Sequence, residues 1–424
     1  MKKILALTII LGIVFMSVPS LYADETSELI LKLLIKKGII SQSEVNALKR
    51  EIDKKTQKIP DVADIQSHVK KASWADKIKF KGDIRLRNEY QRPGSGAYVN
   101  RQRIRARAGL EVKIADNLKG GVMLATGGTD NARSTNQTLG DAFGTKPFDL
   151  DMAYLEWKPV NFMKIAGGKY KNPLYHPGDL LWDSDIRFEG VSSNIKYPLK
   201  EEFGIPANLM LNTGIFILDD LAIDKKNPWL YTIQAGLGSS LGDTFDFKSY
   251  VSYLDFAHIK GTRSGDFVPT TGRADGDDLY YYDYNILELS GDLTIHYLEQ
   301  VGPKPFDVPI TVFGDYAQNL ADGAKRNAWE LGVKLGNRPE KFADWRFIYN
   351  FRSLDKNSFP EEFPDADAFG GRPDGYGHET ILSLGLTKNV WLEFDYYLFR
   401  DKSIGSDPND KWGSIFQTDI NAKF

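Results

Sequence analysis

The sequence predicts an all-β fold: a transmembrane up-and-down antiparallel β-barrel of about 16 strands, with a short N-terminal helical hairpin in front of it. Three observations predict this fold. Charged and apolar residues alternate along two early segments, the connections between strand-like segments alternate in length, and the last strand-like segment ends on an aromatic residue. The alternation and the amphipathic last segment are typical of strands with one face in water and one apolar face, and the sorted connections are typical of strands that cross a membrane up and down.

The alternation is clearest between residues 78 and 115. Successive side chains of a strand point to opposite faces, so these residues form two strands with one charged and one apolar face each. The charged faces carry Lys79, Lys81, Asp83, Arg85, Arg87 and Glu89 on the first strand, and Arg101, Arg103, Arg105, Arg107, Glu111 and Lys113 on the second. Such a row of arginines cannot lie unpaired in a dry core. It faces solvent in a soluble sheet, or a wet lumen in an outer-membrane barrel.

The connections favour the membrane barrel. From Ile78 onward about sixteen strand-like segments follow one another, most of about 10–13 residues, which is enough for a tilted strand to cross a bilayer. Short connections at 115–117, 159–161, 240–243, 337–341 and 389 alternate with longer ones at 126–148, 172–185, 257–281, 354–377 and 401–412. This sorting is the outer-membrane pattern, and an even strand count predicts that both termini are periplasmic.

The final segment, residues 413–424, alternates again. One face carries Phe416, Thr418, Ile420, Ala422 and Phe424, and the other carries Gln417, Asp419, Asn421 and Lys423. An amphipathic last strand that ends on an aromatic residue resembles the signal by which outer-membrane barrels are recognised. We therefore predict Phe424 as the assembly signal, read by the barrel-assembly machinery.

Composition and the N-terminus bound the remaining possibilities. The chain of 424 residues has no cysteine and a formal net charge of −3, so it does not rely on disulfides and a nucleic-acid partner is not expected. Residues 1–23 have the charged start and apolar run of a secretory signal peptide. Since no other apolar run approaches the length of a spanning helix, a membrane location requires a barrel.

Residues 24–77 differ from the rest of the chain. An apolar helix ends at Gly38, and Ser41 with Glu44 forms a capping box that starts a second helix before Pro60. The segment is either a plain periplasmic hairpin or a tether, with residues 24–60 contacting the cell wall or another partner. Residues 61–77 are a polar linker, and the barrel is predicted to occupy residues 78–424.

Nothing in the sequence indicates an enzyme. The five histidines are not spaced as metal pairs, and neither an H-E-x-x-H nor a G-x-S-x-G motif is present. We therefore predict no catalytic residues, no metal and no cofactor.

Several stretches carry a resemblance to a known family: KGDIRLRNEY at 81–90, NRQRIRARAGLEV at 100–112, MKIAGGKYKNP at 163–173, DSDIRFEG at 183–190 and the terminal strand. On these the chain resembles Gram-negative outer-membrane porins, close to the putative and phosphate-selective porin families. The resemblance implies a water-filled channel surrounded by outer-membrane lipid, often a homotrimer, whose third long loop can fold inward. The Pro-Glu-Phe-Gly-Gly motif of the general trimeric porins is absent from residues 172–185, and only a partial echo occurs at 368–371.

The predicted selectivity region opposes two walls. The basic residues named above on the first two strands form one wall, with Glu111 among them, and Asp179, Asp183 and Asp185 of the third loop form the other if that loop folds inward. The alternative is that the arginines merely pair with Asp83, Glu89, Glu111 and their neighbours. The cluster leans toward anions, whereas other predicted lumen residues, among them Glu288, Asp292, His296, Glu330 and Lys334, nearly balance in sign.

The leading functional hypothesis is passive diffusion of small polar or ionic solutes across the outer membrane. A structural barrel that tethers the envelope through its N-terminal helices is the alternative from another class, and a soluble secreted binding protein is the third.

Overall fold

The computed structural model describes most of residues 75–424 and a few positions near the N-terminus. The described residues are 35–37, 41, 43, 44, 46 and 75–424 without 93–97, 129–131, 200–205, 221–225, 263–278, 281, 303, 305, 322–325, 372 and 403–411. The chain divides into two units, residues 1–76 and 77–424, and each is considered separately.

Sixteen spanning strands and one two-residue strand are present in the described part of the second unit. They are β1 (Ile78–Arg92), β2 (Val99–Ala115), β3 (Leu118–Thr126), β4 (Gln137–Thr138), β5 (Phe148–Val160), β6 (Met163–Lys171), β7 (Arg187–Leu199), β8 (Ala207–Ile217), β9 (Trp229–Leu241), β10 (Phe245–Ala257), β11 (Tyr284–Ile295), β12 (Ile310–Asn319), β13 (Asn327–Leu335), β14 (Trp345–Leu354), β15 (Gly375–Thr387), β16 (Val390–Asp401) and β17 (Gly413–Lys423). Strand β4 is too short to span and pairs with β2 inside a long loop.

The spanning strands close into a barrel in which each pairs antiparallel with its neighbours in sequence. Closure comes from β1, which pairs with β2 on one side and with β17 on the other. A closed barrel leaves no unpaired strand edge, which is the condition for a sheet to exist in lipid. The predicted fold class is confirmed, with one strand for each of the sixteen predicted segments.

Most of the connections alternate in length as predicted, and the alternation is lost between β11 and β14, where the β12–β13 loop of seven residues is shorter than the connections on either side of it. Turns of two residues join β2 to β3 and β15 to β16, while twenty residues separate β14 from β15 on the opposite side. The β11–β12 connection, on the short-turn side, contains the helix α1 (Tyr297–Val301). His296, predicted on a strand, instead precedes this helix, because the chain leaves the sheet after Ile295.

Among the described residues, no helix has both the length and the apolar character needed to cross a membrane. The short 3₁₀ turn Ala75–Lys77 leads directly into β1.

The outer surface of the barrel is apolar and the inner surface is mostly polar. Large exposed side chains on the outer face include Ile84, Leu86, Leu155, Trp157, Val191, Leu289, Leu331, Phe416 and Ile420. They alternate with buried polar side chains such as Arg87, Glu89, Ser252 and Asp419. A band of exposed apolar residues of this kind is stable only against lipid.

The chain terminus closes the seam of the barrel. The Phe424 carbonyl accepts a hydrogen bond from the Gly82 amide at 2.9 Å, and the Phe424 amide donates to the Gly82 carbonyl at 3.0 Å. A Cβ atom on residue 82 would lie 2.5 Å from the Phe424 ring, so glycine leaves the space that this ring occupies. The ring itself remains exposed on the outer face, and its role as assembly signal stays a prediction.

In the first unit, the described residues include the predicted capping box. The Ser41 amide donates to Glu44 Oε2 at 2.8 Å, and the Glu44 amide donates to Ser41 Oγ at 3.3 Å. This reciprocal pair satisfies two free amides at a helix start. The signal peptide, the linker and most of the hairpin, including the possible cell-wall contact, lie outside the described residues.

Candidate pore and its arginine wall

Six arginines of β1 and β2 form a continuous surface on the inside of the barrel, here called the arginine wall: Arg85, Arg87, Arg101, Arg103, Arg105 and Arg107. The strand register sets Arg85 opposite Arg105 and Arg87 opposite Arg103. Like charges directly across a strand pair destabilise it unless carboxylates lie between them. The wall therefore requires acidic partners.

Those partners come from the wall itself and from the last strand. Glu89 accepts from Arg101 at 2.6 Å and from Arg103 at 3.3 Å. Asp83 lies 2.9 Å from Arg105 and 2.8 Å from Arg107, and Asp419 lies 3.2 Å from Arg85 and 2.8 Å from Arg87. Glu89 and Asp419 are almost fully buried. Most of the positive charge of the wall is thus compensated locally, as in the pairing alternative.

The third loop, residues 172–186 between β6 and β7, folds inward. Its Tyr175 amide donates to Gln234 Oε1 at 2.7 Å, and Gln234 Nε2 donates back to the Tyr175 carbonyl at 2.9 Å. Lys334 Nζ donates to the Pro177 carbonyl at 2.6 Å. Because Gln234 lies on β9 and Lys334 on β13, the loop crosses the lumen and is fastened to the opposite wall.

A chain of hydrogen-bonded polar side chains supports this attachment. Asn194 donates to Asn212 at 2.7 Å, Asn212 donates to Gln234 at 2.8 Å, and Gln234 donates to Ser252 at 2.9 Å. The chain runs across β7, β8, β9 and β10. A satisfied network of this kind fixes the orientation of Gln234 and with it the seat of the third loop.

A second loop enters the barrel beside the third. It is the seventh long loop, residues 355–374 between β14 and β15, and its Phe363 carbonyl accepts from the Asp183 amide of the third loop at 2.7 Å. The two loops and the ends of the surrounding strands on the long-loop side bury a shared set of side chains, here called the apolar core. Its larger members are Leu180, Leu181, Trp182, Phe188, Phe216, Leu230, Leu254, Phe256, Tyr284, Ile286, Leu354, Phe359 and Phe363.

Trp182 is the centre of the apolar core. Its ring lies 4.8 Å from Phe188, 5.0 Å from Phe359 and 5.4 Å from Phe363, measured between centroids. Edge and tilted contacts of this kind add to the apolar area that is buried. The half of the lumen on the long-loop side is therefore filled along β8–β14 by packed side chains rather than by water.

Of the three predicted third-loop carboxylates, the structure brings only Asp185 to the arginine wall, where it lies 3.1 Å from Arg107. Burial alone would raise the pKa of Asp185, but Arg105 and Arg107 outweigh it and hold that pKa below its usual range. Asp179 lies near Arg352 on β14, whose guanidinium donates to the Asp179 carbonyl at 3.4 Å. An acidic wall of all three residues is not formed.

Asp183 binds the seventh loop instead. Its carboxylate accepts from the Ala366 amide at 2.9 Å. Burial, followed by the neighbouring carboxylates Asp365 and Asp185, raises the pKa of Asp183 well above its usual value. Burial likewise raises the pKa of Asp365 to about 6, against the opposing effect of Arg352 at 3.0 Å.

The predicted lysines lie toward the short-turn side. Lys81 pairs with Glu111 at 2.8 Å, with the lysine side chain half exposed. Lys113 pairs with Asp116 at the β2–β3 turn, and Lys79 is exposed near the start of β1. These residues lie at the short-turn end of the barrel rather than at the level of the arginine wall.

Two cavities lie beside the loops. The upper one, nearer the long loops and of about 490 Å³, is lined by Thr126, Asp149, Asp151, Asp185, Arg187 and Trp182 among others. The lower one, of about 310 Å³, is lined by Glu111, Met152, Tyr154, Tyr170, Lys171 and Asn194 among others. Both follow β3, β5, β6 and β7, so this side of the barrel offers space that water and small solutes can enter.

The sequence did not predict the apolar core, nor that the two cavities meet beside Asp151. The available signal was the loss of alternation in β10, where Tyr250, Leu254 and Phe256 face inward and Val251 and Tyr253 face outward. Apolar residues on both faces of a membrane strand indicate that something packs inside. No group of three or more metal-ligating side chains is arranged to hold a metal ion in the described part of the chain.

The comparisons with known proteins agree with this geometry. Residues 96–284 match the family model described as "Putative porin". Pseudomonas putida OprB has a similar structure, with a TM-score of 0.54 and 10% identity, covering 84% of this chain and 96% of that one. Vibrio cholerae OmpT in its trimer form has a TM-score of 0.46 and 11% identity, covering 82% of this chain and 99% of that one. A triple mutant of Rhodopseudomonas blastica porin has a TM-score of 0.44 and 11% identity, covering 82% of this chain and 100% of that one.

No curated protein matches the chain. The solved structures are too distant in sequence to show more than the fold, and the family model reaches residues of β2 through β11. Taken together, the closed sixteen-stranded barrel and the family match identify this chain as an outer-membrane β-barrel that resembles the porins, in particular the family described as putative porins.

Proposed function

We propose that the protein is a water-filled channel for the passive diffusion of small polar or ionic solutes across the outer membrane, with a preference for anions. The observation that carries the proposal is the pair of cavities that lie end to end along β3–β7, each with charged side chains in its lining, such as Asp151 and Arg187 in the upper one and Glu111 and Lys171 in the lower one. Such a lining replaces part of the hydration of a solute, and its charges set selectivity.

The arginine wall supports the anion preference. Its six arginines face five carboxylates, namely Asp83, Glu89, Asp185, Asp367 and Asp419, so a small positive excess remains. In a narrow, partly dry passage even one excess charge attracts counter-ions.

The outer surface supports a homotrimer. Asn88, Asn100 and Gln102 are exposed on the outer face of β1 and β2, where Asn88 donates to Asn100 at 3.1 Å and Gln102 donates to it at 3.4 Å. Amide side chains are costly against lipid. Contact with neighbouring copies of the chain would cover them, with both termini of each copy on the periplasmic side.

The test is single-channel recording of the refolded protein in a planar bilayer with a salt gradient. We expect stepwise conductance, steps in groups of three for a trimer, and a reversal potential of the sign that anion flow produces. Replacing Arg103 and Arg105 with Ala leaves Glu89 and Asp83 undercompensated and should move the reversal potential toward cations. Folded and inserted protein without channels would contradict the proposal, and an unmoved potential would remove the arginine wall as a selectivity element.

A further inference from the structure

We propose that Lys171, at the junction of the two cavities, is the residue that most strongly sets the anion preference of the channel. The inference rests on the proposed channel function and adds to it the route through the barrel and the charge that a permeating ion meets. It concerns a residue outside the arginine wall, on the end of β6.

The two cavities meet at a common level. On β5 the upper cavity is lined as far as Asp151 and the lower one from Met152. On β3 the same change falls between Ala125 and Met123. Lys171 at the end of β6 lines the lower cavity, and the residue opposite it on β7, Arg187, lines the upper one. The two cavities therefore meet at the level of Lys171, and a solute that moves along this wall crosses that level.

The alternative route is closed by packing. Along β8–β14 the third and seventh loops and the apolar core fill the half of the lumen on the long-loop side, and Trp182 and Phe359 are almost fully buried. A charged solute cannot enter a packed apolar region without losing its hydration. The strands β3–β7 line both cavities, and each cavity has charged side chains in its lining.

Most charges at this level are already paired. Arg187 lies 3.1 Å from Asp151, and Arg107 lies 3.1 Å from Asp185 and 2.8 Å from Asp83. Each carboxylate therefore has an arginine partner. Lys171 interacts electrostatically with Arg107, Arg187, Lys423 and Asp151, but has no ion-pair partner within 4 Å among the residues that the structure describes.

Lys171 is also exposed to the cavity, unlike the nearly buried Arg87 and Arg105 of the wall. An accessible ammonium group with neighbouring guanidinium groups gives this level a net positive field. A small anion is stabilised at this level as it passes, whereas the carboxylates that a small cation meets at this level, Asp83, Asp151 and Asp185, are already paired with arginines.

The absence of cysteine in the chain permits a direct test. We would replace Lys171 with Gln, Arg and Cys in the full chain and measure the anion-to-cation permeability ratio from reversal potentials in a potassium chloride gradient. The matched control is Lys248, a half-exposed lysine on the inner face of β10, away from both cavities and 5.9 Å above the Tyr175 ring.

We expect Lys171→Gln to lower the ratio about twofold or more, Lys171→Arg to preserve it, and Lys248→Gln to change it less. Modification of Lys171→Cys with a positively charged thiol reagent should restore the ratio, and a negatively charged reagent should lower it further. This within-channel comparison stays decisive even if the Gln variant inserts poorly.

An unchanged ratio in Lys171→Gln, or equal changes at Lys171 and Lys248, would overturn the inference while leaving the channel intact. Failure of the unmodified protein to form channels would instead contradict the proposed function. The two failures are therefore distinguishable.

Discussion

The two sides of the lumen stabilise their inward-facing side chains in different ways. On β1, β2 and β17 the inward side chains are charged and are held by ion pairs within the sheet, such as Arg87 with Asp419. On β8–β14 the inward side chains at the long-loop end are apolar and are covered by the third and seventh loops. The side formed by β1, β2 and β17 is stabilised by contacts within the sheet, whereas the side formed by β8–β14 depends on loops that are distant in sequence.

The difference decides which side can carry solutes. The strands β3–β7, next to the charged side, place charged and polar groups in the lining of the two cavities, whereas the apolar side excludes water once the third and seventh loops are seated. Loops held by an apolar core and a few hydrogen bonds can be released by a change in that core. Substitutions on the two sides should therefore have different consequences for conductance.

The largest effect is expected at the centre of the apolar core. Trp182→Ala removes the ring on which Phe188, Phe359 and Phe363 pack, at a cost of about 3–5 kcal/mol in the free energy of unfolding. The loops should loosen and single-channel conductance should rise. Trp157→Ala, on the outer face, is the control and should leave conductance unchanged. Equal conductance in both variants would contradict a core that narrows the passage.

A substitution on the charged side should lower the stability of the barrel without widening the passage. Asp419→Asn leaves Arg85 and Arg87 without their principal carboxylate, at a cost of about 3 kcal/mol, because both guanidinium groups stay largely buried. The measurement is the midpoint of urea unfolding in lipid vesicles, together with conductance. Asp116→Asn breaks the exposed pair with Lys113 and should change neither quantity. A rise in conductance for Asp419→Asn would remove the contrast between the two sides.

The same contrast explains what could be predicted from the sequence. The strands, their alternation and the inward set Arg85, Arg87, Arg103 and Arg105 follow from a period of two, because each strand records its own two faces. The capping box of Ser41 and Glu44 is equally local. Local patterns of this kind are complete within a few residues.

The apolar core is not local. Trp182 and Phe359 are far apart in sequence, and nothing near either residue indicates that they meet inside a barrel. The contacts of Asp179 and Asp183 could not be predicted either, because they depend on where Arg352 and the Ala366 amide lie in the folded protein. The role of Lys171 follows only from the cavities, because in the sequence it is one of several lysines on β6.

The smallest expected effect is the pH dependence of the contact between the third and seventh loops. Burial raises the pKa of Asp365 to about 6 and raises that of Asp183, so both carboxyls bind protons more readily in the folded protein than in the unfolded chain. Their contribution to stability is complete below about pH 4 and is lost as pH rises through the folded pKa. The seated loops should therefore open more readily at pH 8 than at pH 5.

Hydrogen exchange of residues 172–186, corrected for the intrinsic pH dependence of amide exchange, measures this opening. We expect about tenfold more opening at pH 8 than at pH 5, the equivalent of one pKa unit, and a smaller difference in Asp365→Asn. Asp185 works in the opposite direction, because its lowered pKa makes it lose stability only as pH falls below its usual range. Opening that does not increase from pH 5 to pH 8 would show that Asp183 and Asp365 do not control the seat of the third loop, whereas the opposite contribution of Asp185 would appear only below about pH 4.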